Sequence, residues 1–128
     1  MRALLDTHAF IWWSTADSRL GKRATRIIRD SDNELLFSAA SAWEIATKHR
    51  LGKLREAETI LEDLPEALSL SRFEALPISL EHAAEAGSLS GAHRDPFDRM
   101  LIAQSRIERI PVVTADPIFK SYDVEVLW

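Results

Sequence analysis

A chain of 128 residues, 46% hydrophobic and 28% charged, is sized for one domain with its own core. It has no cysteine, which excludes disulfides and thiolate metal sites and is compatible with a reducing compartment. A net charge of −4, from 16 basic and 20 acidic residues, argues against a protein that coats nucleic acid by charge alone, though not against a metal-using enzyme that acts on it.

In chain order, Ala3–Leu5 is a short continuous apolar run, as expected of a strand covered on both faces. Asp6 and His8 break that run, so neither a signal peptide nor a membrane span is expected there, and the cytoplasm is the default compartment. Thr7–Ser14 reads as a helix carrying Phe10, Ile11, Trp12 and Trp13. After a break at Ser18–Gly21, Lys22–Asp30 resumes as a helix with Ala24, Ile27 and Ile28 inward. Glu34–Ser38 is a second strand, and Ala39–Arg50 a helix stopped near Gly52. Glu56–Arg72 is helical, with a break before Pro65.

Ala75–Ile78 is a weak third strand, with Pro77 favouring its end or an edge. Ser79 reads as an N-cap with His82 at the third helical position, opening a helix to about Ala86; Gly87–His93 is a loop. Asp95 then caps a helix with Pro96 at its first position and Asp98 two residues further in. That helix has apolar residues on both sides and should be buried around much of its circumference. Val112–Thr114 is a fourth strand, and Val124–Leu127 a fifth, ending at Trp128. The expected fold is α/β, a mostly parallel five-stranded sheet with helices on both faces, in one domain over 1–128. In such folds ligands bind outside the carboxyl ends of the strands, where strand order reverses.

Asp6 and Asp116 each follow a predicted strand, and Asp98 lies in the first turn of a helix. Glu44 projects from the first turns of another helix entering from the same side. Each has a local explanation too: Asp6 and Asp116 as helix starts, Glu44 as an ion-pair partner of Lys48, Asp98 in a capping box with Asp95. Taken together they favour a cluster, and clustered carboxylates need a cation or raised pKa values. Oxygen ligands without cysteine suit Mg²⁺ or Mn²⁺, ions that activate water and stabilise a leaving oxygen at a phosphodiester.

Leu4-Leu5-Asp6-Thr7-His8, Ser38-Ala39-Ala40-Ser41-Ala42-Trp43-Glu44-Ile45, His93-Arg94-Asp95-Pro96-Phe97-Asp98-Arg99 and Val113-Thr114-Ala115-Asp116 occur in that order. With them the chain resembles, over nearly its whole length, the PIN domain and more narrowly the VapC toxins of bacterial toxin–antitoxin pairs. The resemblance implies a PIN-like three-layer sandwich and a metal-dependent endoribonuclease. It further implies neutralisation by a cognate antitoxin, and a homodimer within a larger toxin–antitoxin complex. Asp6, Glu44, Asp98 and Asp116 fall on the family's acidic positions, as both catalytic and metal-holding residues.

Around that quartet, Asp95 is read as a cap or as a contributor through metal-bound water. Thr7, Ser38 and Thr114 are read as hydrogen-bonding the acids or a metal water, or else turn backbone. Arg94 and Arg99 are read as phosphate ligands or ion-pair partners; His8 and His93 are candidates for metal ligation or acid–base work, although water activated by a metal needs neither. Trp12, Trp13, Trp43 and Trp128 read as core, except that consecutive Trp12 and Trp13 cannot share one narrow helix stripe, so one suits an interface. Two basic groups, Arg19–Arg29 and Lys48–Arg55, are solvated helix faces or a phosphate-contacting rim. Three other readings stay open: a non-catalytic module whose acids hold a structural ion or a basic partner, a nuclease acting on DNA, and phosphotransfer through Asp6. The last conflicts with His8, which stands where an aspartyl phosphatase carries a second acid.

Overall fold

The computed structural model describes residues 1–91 and 93–128; Ala92, within the loop expected over Gly87–His93, lies outside the described residues. The chain runs β1 (Arg2–Leu5), α1 (Thr7–Ser14), α2 (Lys22–Arg29), β2 (Glu34–Ser38), α3 (Ala39–Arg50), α4 (Glu58–Glu62) and α5 (Leu64–Leu70). It continues through β3 (Glu74–Leu76), α6 (Leu80–Ser88), α7 (Pro96–Glu108), β4 (Val112–Val113) and β5 (Val126–Leu127), with 3₁₀ turns at Arg55–Ala57 and Pro117–Tyr122. The strands form one sheet in the order β3-β2-β1-β4-β5, every neighbouring pair parallel.

Because side chains alternate along a strand, the sheet feeds two cores. Ala3, Leu5, Leu35, Phe37, Val113 and Leu127 face a core shared with α1, α2, α4 and α5, through Phe10, Ile11, Ala24, Ile28, Ile60 and Leu68. Leu4, Leu36 and Val112 face the other core, closed by Leu101 and Ile102 of α7 and by Phe119 and Tyr122. The result is three layers, with α7 buried on consecutive residues Leu101 to Ser105, more than a full turn.

The differences from the expected elements have local causes. The third strand ends at Leu76 rather than Ile78, because Pro77 has no N–H to offer the ladder. The helical break falls at Asp63, whose side chain accepts from the Glu66 N–H, leaving Pro65 inside the first turn of α5. The fifth strand begins at Val126 rather than Val124, since Asp123 adopts a left-handed conformation (φ 59°) and Val124 turns into the core. Strand β4 is confined to Val112–Val113, although the Thr114 N–H still donates to the Leu127 carbonyl. The expected N-cap at Ser79 is present, and the His82 ring, accepting from the Ser79 N–H at 3.1 Å, extends it into a capping box; α6 runs on to Ser88.

Strand order reverses around β1, which lies between β2 and β4. The Leu4–Val112 and Leu5–Val113 register brings the residues after these strands, Asp6 and Thr114, side by side. Ser38, at the end of β2, completes the same carboxyl edge. Helices α3 and α7 start from that side and pack against each other.

Candidate active site

Asp6, Glu44, Asp95, Asp98 and Asp116 line one cavity of about 400 Å³, together with His8, Trp12, Lys48, Ala115 and Pro117. Each arrives by a different local route. Asp6 leaves β1 as the N-cap residue of α1 without a side-chain cap bond, so its carboxylate is free for tertiary contacts. Glu44 belongs to the buried stripe Ala40, Ser41, Glu44, Ile45 of α3, which carries it inward. Asp95 caps α7, accepting from the Phe97 and Asp98 N–H groups at 2.9 and 3.1 Å. Asp116 caps the 3₁₀ turn behind it, accepting from the Ile118 N–H at 3.0 Å.

Burial makes this concentration of charge costly. Asp6 is 7% exposed, and burial raises its pKa above the ordinary carboxylate value although the Thr114 hydrogen bond and the His8 charge oppose it. Asp98 is pushed up to about 6, chiefly by burial, with the negative charges of Asp95, Asp6 and Glu44 adding to it and the His93 hydrogen bond opposing. Glu44 is only 3% exposed; its Oε2 is held by the Lys48 ammonium, and its Oε1 is buried with no hydrogen-bond partner among the described residues. Burial works against the charge on Lys48, but the Glu44 hydrogen bond and the Glu44, Asp95 and Asp98 charges outweigh it and raise its pKa.

The carboxylates share a cavity, yet among the described residues no three acids or histidines stand together closely enough to chelate an ion as they are. Each instead makes a contact of its own: Asp6 with Thr114 at 2.7 Å, Asp98 with His93 at 2.9 Å, Glu44 with Lys48, and Asp95 and Asp116 with their helix starts. The donor set nevertheless suits a hard divalent cation, all oxygen, with one buried carboxylate oxygen unsatisfied.

The surrounding residues divide by contact. Thr114 donates its hydroxyl to Asp6 and accepts from the Asp116 N–H at 3.0 Å, so it joins two acids. Thr7 instead donates to Ser41 Oγ at 2.8 Å, away from the acids. Ser38 caps α3 through the Ala40 N–H and donates to Gln104 Oε1 at 2.5 Å. Arg99 makes neither a phosphate-facing fork nor an ion pair among the described residues; its guanidinium donates to the carbonyls of Ala86, Leu89 and His93. It therefore fastens the approach to α7. Asp98 bonds His93 and closes no capping box with Asp95.

Trp43 departs from the expected core position: it is 56% exposed, edge-on to Phe97 with ring centroids 4.7 Å apart. Trp12 lines the cavity and meets Trp128 edge-on, while Trp13 lies half-buried against Phe73. Two residues escape the sequence reading. Lys48 looks like the outer half of a surface pair, and only the burial of Glu44 draws it into the cavity. Gln104 is fully buried, and the available signal is one amide among the apolar positions of a buried helix.

A family model described as the PIN domain matches residues 3–125. The chain is 31% identical over 120 residues to ribonuclease VapC22 of Mycobacterium tuberculosis, covering 93% of this chain and 90% of that protein. It is 43% identical over 60 residues to ribonuclease VapC16 of the same organism, a match spanning 47% of this chain but only 41% of that relative. The fold is similar to that of VapBC2 from Rickettsia felis, solved bound to a DNA fragment from their promoter, with a TM-score of 0.69 and 17% identity over 98% of this chain and 97% of that one.

Proposed function

The chain belongs to the PIN-domain family, and from that premise we propose that it is a metal-dependent endoribonuclease toxin, neutralised by a cognate antitoxin. One observation carries the reading: acids from four separated segments, Asp6, Glu44, Asp98 and Asp116, line one cavity at the carboxyl edge of a parallel sheet. The two Mycobacterium tuberculosis relatives are ribonucleases by name, which favours RNA over DNA.

In this reading the four acids hold a Mg²⁺ or Mn²⁺ ion, which when bound supplies Lewis-acid charge to the phosphodiester and activates water as the nucleophile. The protein's own groups set that geometry. Thr114 fixes the Asp6 carboxylate and the backbone before Asp116 together. Asp95 anchors the first turn of α7, and His93 orients Asp98. The toxin works in the cytoplasm, where its RNA is, as a homodimer within a hetero-oligomer with the antitoxin. Among the described residues no helix is long and apolar enough to cross a membrane.

The test is the purified chain, freed of any bound partner, incubated with mixed RNAs with and without Mg²⁺ or Mn²⁺. Cleavage should need the ion and leave 5′-phosphate ends, since activated water spares the 2′-OH. Asp98→Asn should abolish cleavage with an unchanged circular dichroism spectrum. Undiminished turnover in that variant, or 2′,3′-cyclic ends from the parent, rejects the mechanism.

A further inference from the structure

We propose that Lys48 is the built-in counter-ion of the acidic cavity: it holds Glu44, yields that carboxylate to a divalent cation, and then serves the substrate phosphate. The inference rests on the nuclease reading for its last step only.

Among the described residues lining the cavity, Lys48 is the one lysine or arginine, against the carboxylates of Asp6, Glu44, Asp95, Asp98 and Asp116. Spacing alone makes Glu44–Lys48 an ordinary i,i+4 helix pair, the kind that contributes little when both partners are solvated. Its burial is lopsided, however: the Glu44 side chain is 3% exposed and the Lys48 side chain 30%. A buried ion pair kept for structure has its remaining lone pairs satisfied, because each unmet one costs desolvation. Among the described residues Glu44 has one oxygen on Lys48 and the other with no partner. That is a carboxylate half-occupied by an internal cation, with its free half suited to another.

The two cations cannot share Glu44 comfortably. An ammonium on Oε2 and a divalent ion drawing on the same carboxylate repel each other in a poorly solvated space. Lysine is suited to leaving: a compact charge on a flexible four-carbon stem, part of it already in solvent. Once displaced, it stays among the charges of Asp95 and Asp98 that already act on it, at the mouth of an acid-lined cavity that the anionic substrate must approach, and lysine serves phosphate as a point charge.

The test uses the full chain. For Lys48→Met and Lys48→Gln, Mn²⁺ affinity is measured by calorimetry on the metal-free protein without RNA, and RNA cleavage at saturating Mn²⁺. Removing the competitor should tighten Mn²⁺ binding by about tenfold, near the low end of what a close, desolvated charge pair is worth. Cleavage efficiency should nevertheless fall, by roughly 100-fold, with the loss of a charged hydrogen bond to phosphate. Lys48→Arg should restore most of the cleavage and none of the gain in Mn²⁺ affinity. A purely structural lysine would weaken both properties in Met and Gln variants.

A readout on the unsubstituted protein guards against variants that do not fold. Acylation of the Lys48 amine, followed by peptide mass spectrometry, should be slow in metal-free protein and faster with Mn²⁺ bound. Unchanged or weaker Mn²⁺ affinity in both variants, or acylation that does not speed up, overturns the exchange. Tighter metal with undiminished cleavage overturns the phosphate step. If the parent chain cleaves no RNA, the nuclease reading and the phosphate step fall together, while calorimetry and acylation still decide the exchange.

Discussion

Thr114 and Asp6 are 108 positions apart in the chain, yet the Thr114 hydroxyl donates to Asp6 Oδ2 at 2.7 Å. The contact follows from the parallel β1–β4 register, and it is the main bond opposing the rise in the Asp6 pKa that burial causes. Thr114→Val keeps the shape and removes the donor. It should destabilise the fold by about 1–3 kcal/mol, the cost of leaving a buried charged acceptor short of a partner. It should also raise the Asp6 pKa further, so that the acidic limb of the pH–activity profile moves upward, whereas Thr114→Ser should restore both. Urea denaturation with a pH–rate series checks this; a Val variant matching the parent in both would show the bond to be idle.

The raised acids set a pH dependence of stability in the metal-free state. The folded pKa of Asp98 is about 6 against an ordinary 3.8, and that of Asp6 is raised too. Between those values the folded state binds more protons than the unfolded one, so this contribution is present in full below about pH 4 and lost as pH rises through 6. Asp17 works oppositely, held down to about 2 by Arg19, but loses its contribution only below the ordinary carboxylate range. In chelator, the melting temperature should therefore fall from pH 5 to pH 7.5 through Asp98, and less steeply in Asp98→Asn. Saturating Mg²⁺ should flatten or reverse the slope. Scanning calorimetry on both proteins decides it, and a parent slope no different from that of Asp98→Asn would remove Asp98 from the account.

Elements set by local chemistry were legible in the sequence: the Asp95–Pro96 helix start, the Ser79–His82 cap, and the short apolar strands that precede Asp6 and Asp116. What joins them depends on where helices land, which no local pattern encodes. Thr7 stands beside an acid in sequence but points to Ser41, because the turn from β1 into α1 directs it toward α3. Arg99 spends its fork on three carbonyls because the segment from α6 to α7 folds over it. Lys48 reads as a solvated charge until Glu44 is known to be buried.

Gln104 makes the same point energetically. Its Oε1 accepts from Ser38 at the end of β2, and its Nε2 donates to the Pro77 carbonyl at 3.3 Å beside His82. It thereby ties α7, which carries Asp98, to the start of α3, which carries Glu44. Gln104→Leu preserves volume but strands the Ser38 hydroxyl and the Pro77 carbonyl, so a loss of about 1–3 kcal/mol is expected. Gln104→Glu should cost at least as much by burying a charge. The catalytic consequence should be a lower kcat at unchanged metal stoichiometry; urea titration and steady-state kinetics report both, and a Leu variant as stable as the parent would contradict the role.

Trp43 offers a test of surface against core. A tryptophan truncated to alanine inside a core costs about 3–5 kcal/mol. Trp43 is 56% exposed and its one aromatic partner is Phe97, edge-on at 4.7 Å. Such a pair adds about 0.5–1.5 kcal/mol, so Trp43→Ala should destabilise the isolated chain by about 1 kcal/mol. Denaturation at low protein concentration measures this directly. Repeating it at high concentration separates a second role: if the proposed homodimer covers Trp43, the loss should grow with concentration, because subunit burial then adds to folding. A full core-sized loss at the lowest concentration would instead mean that the indole is enclosed within a single chain.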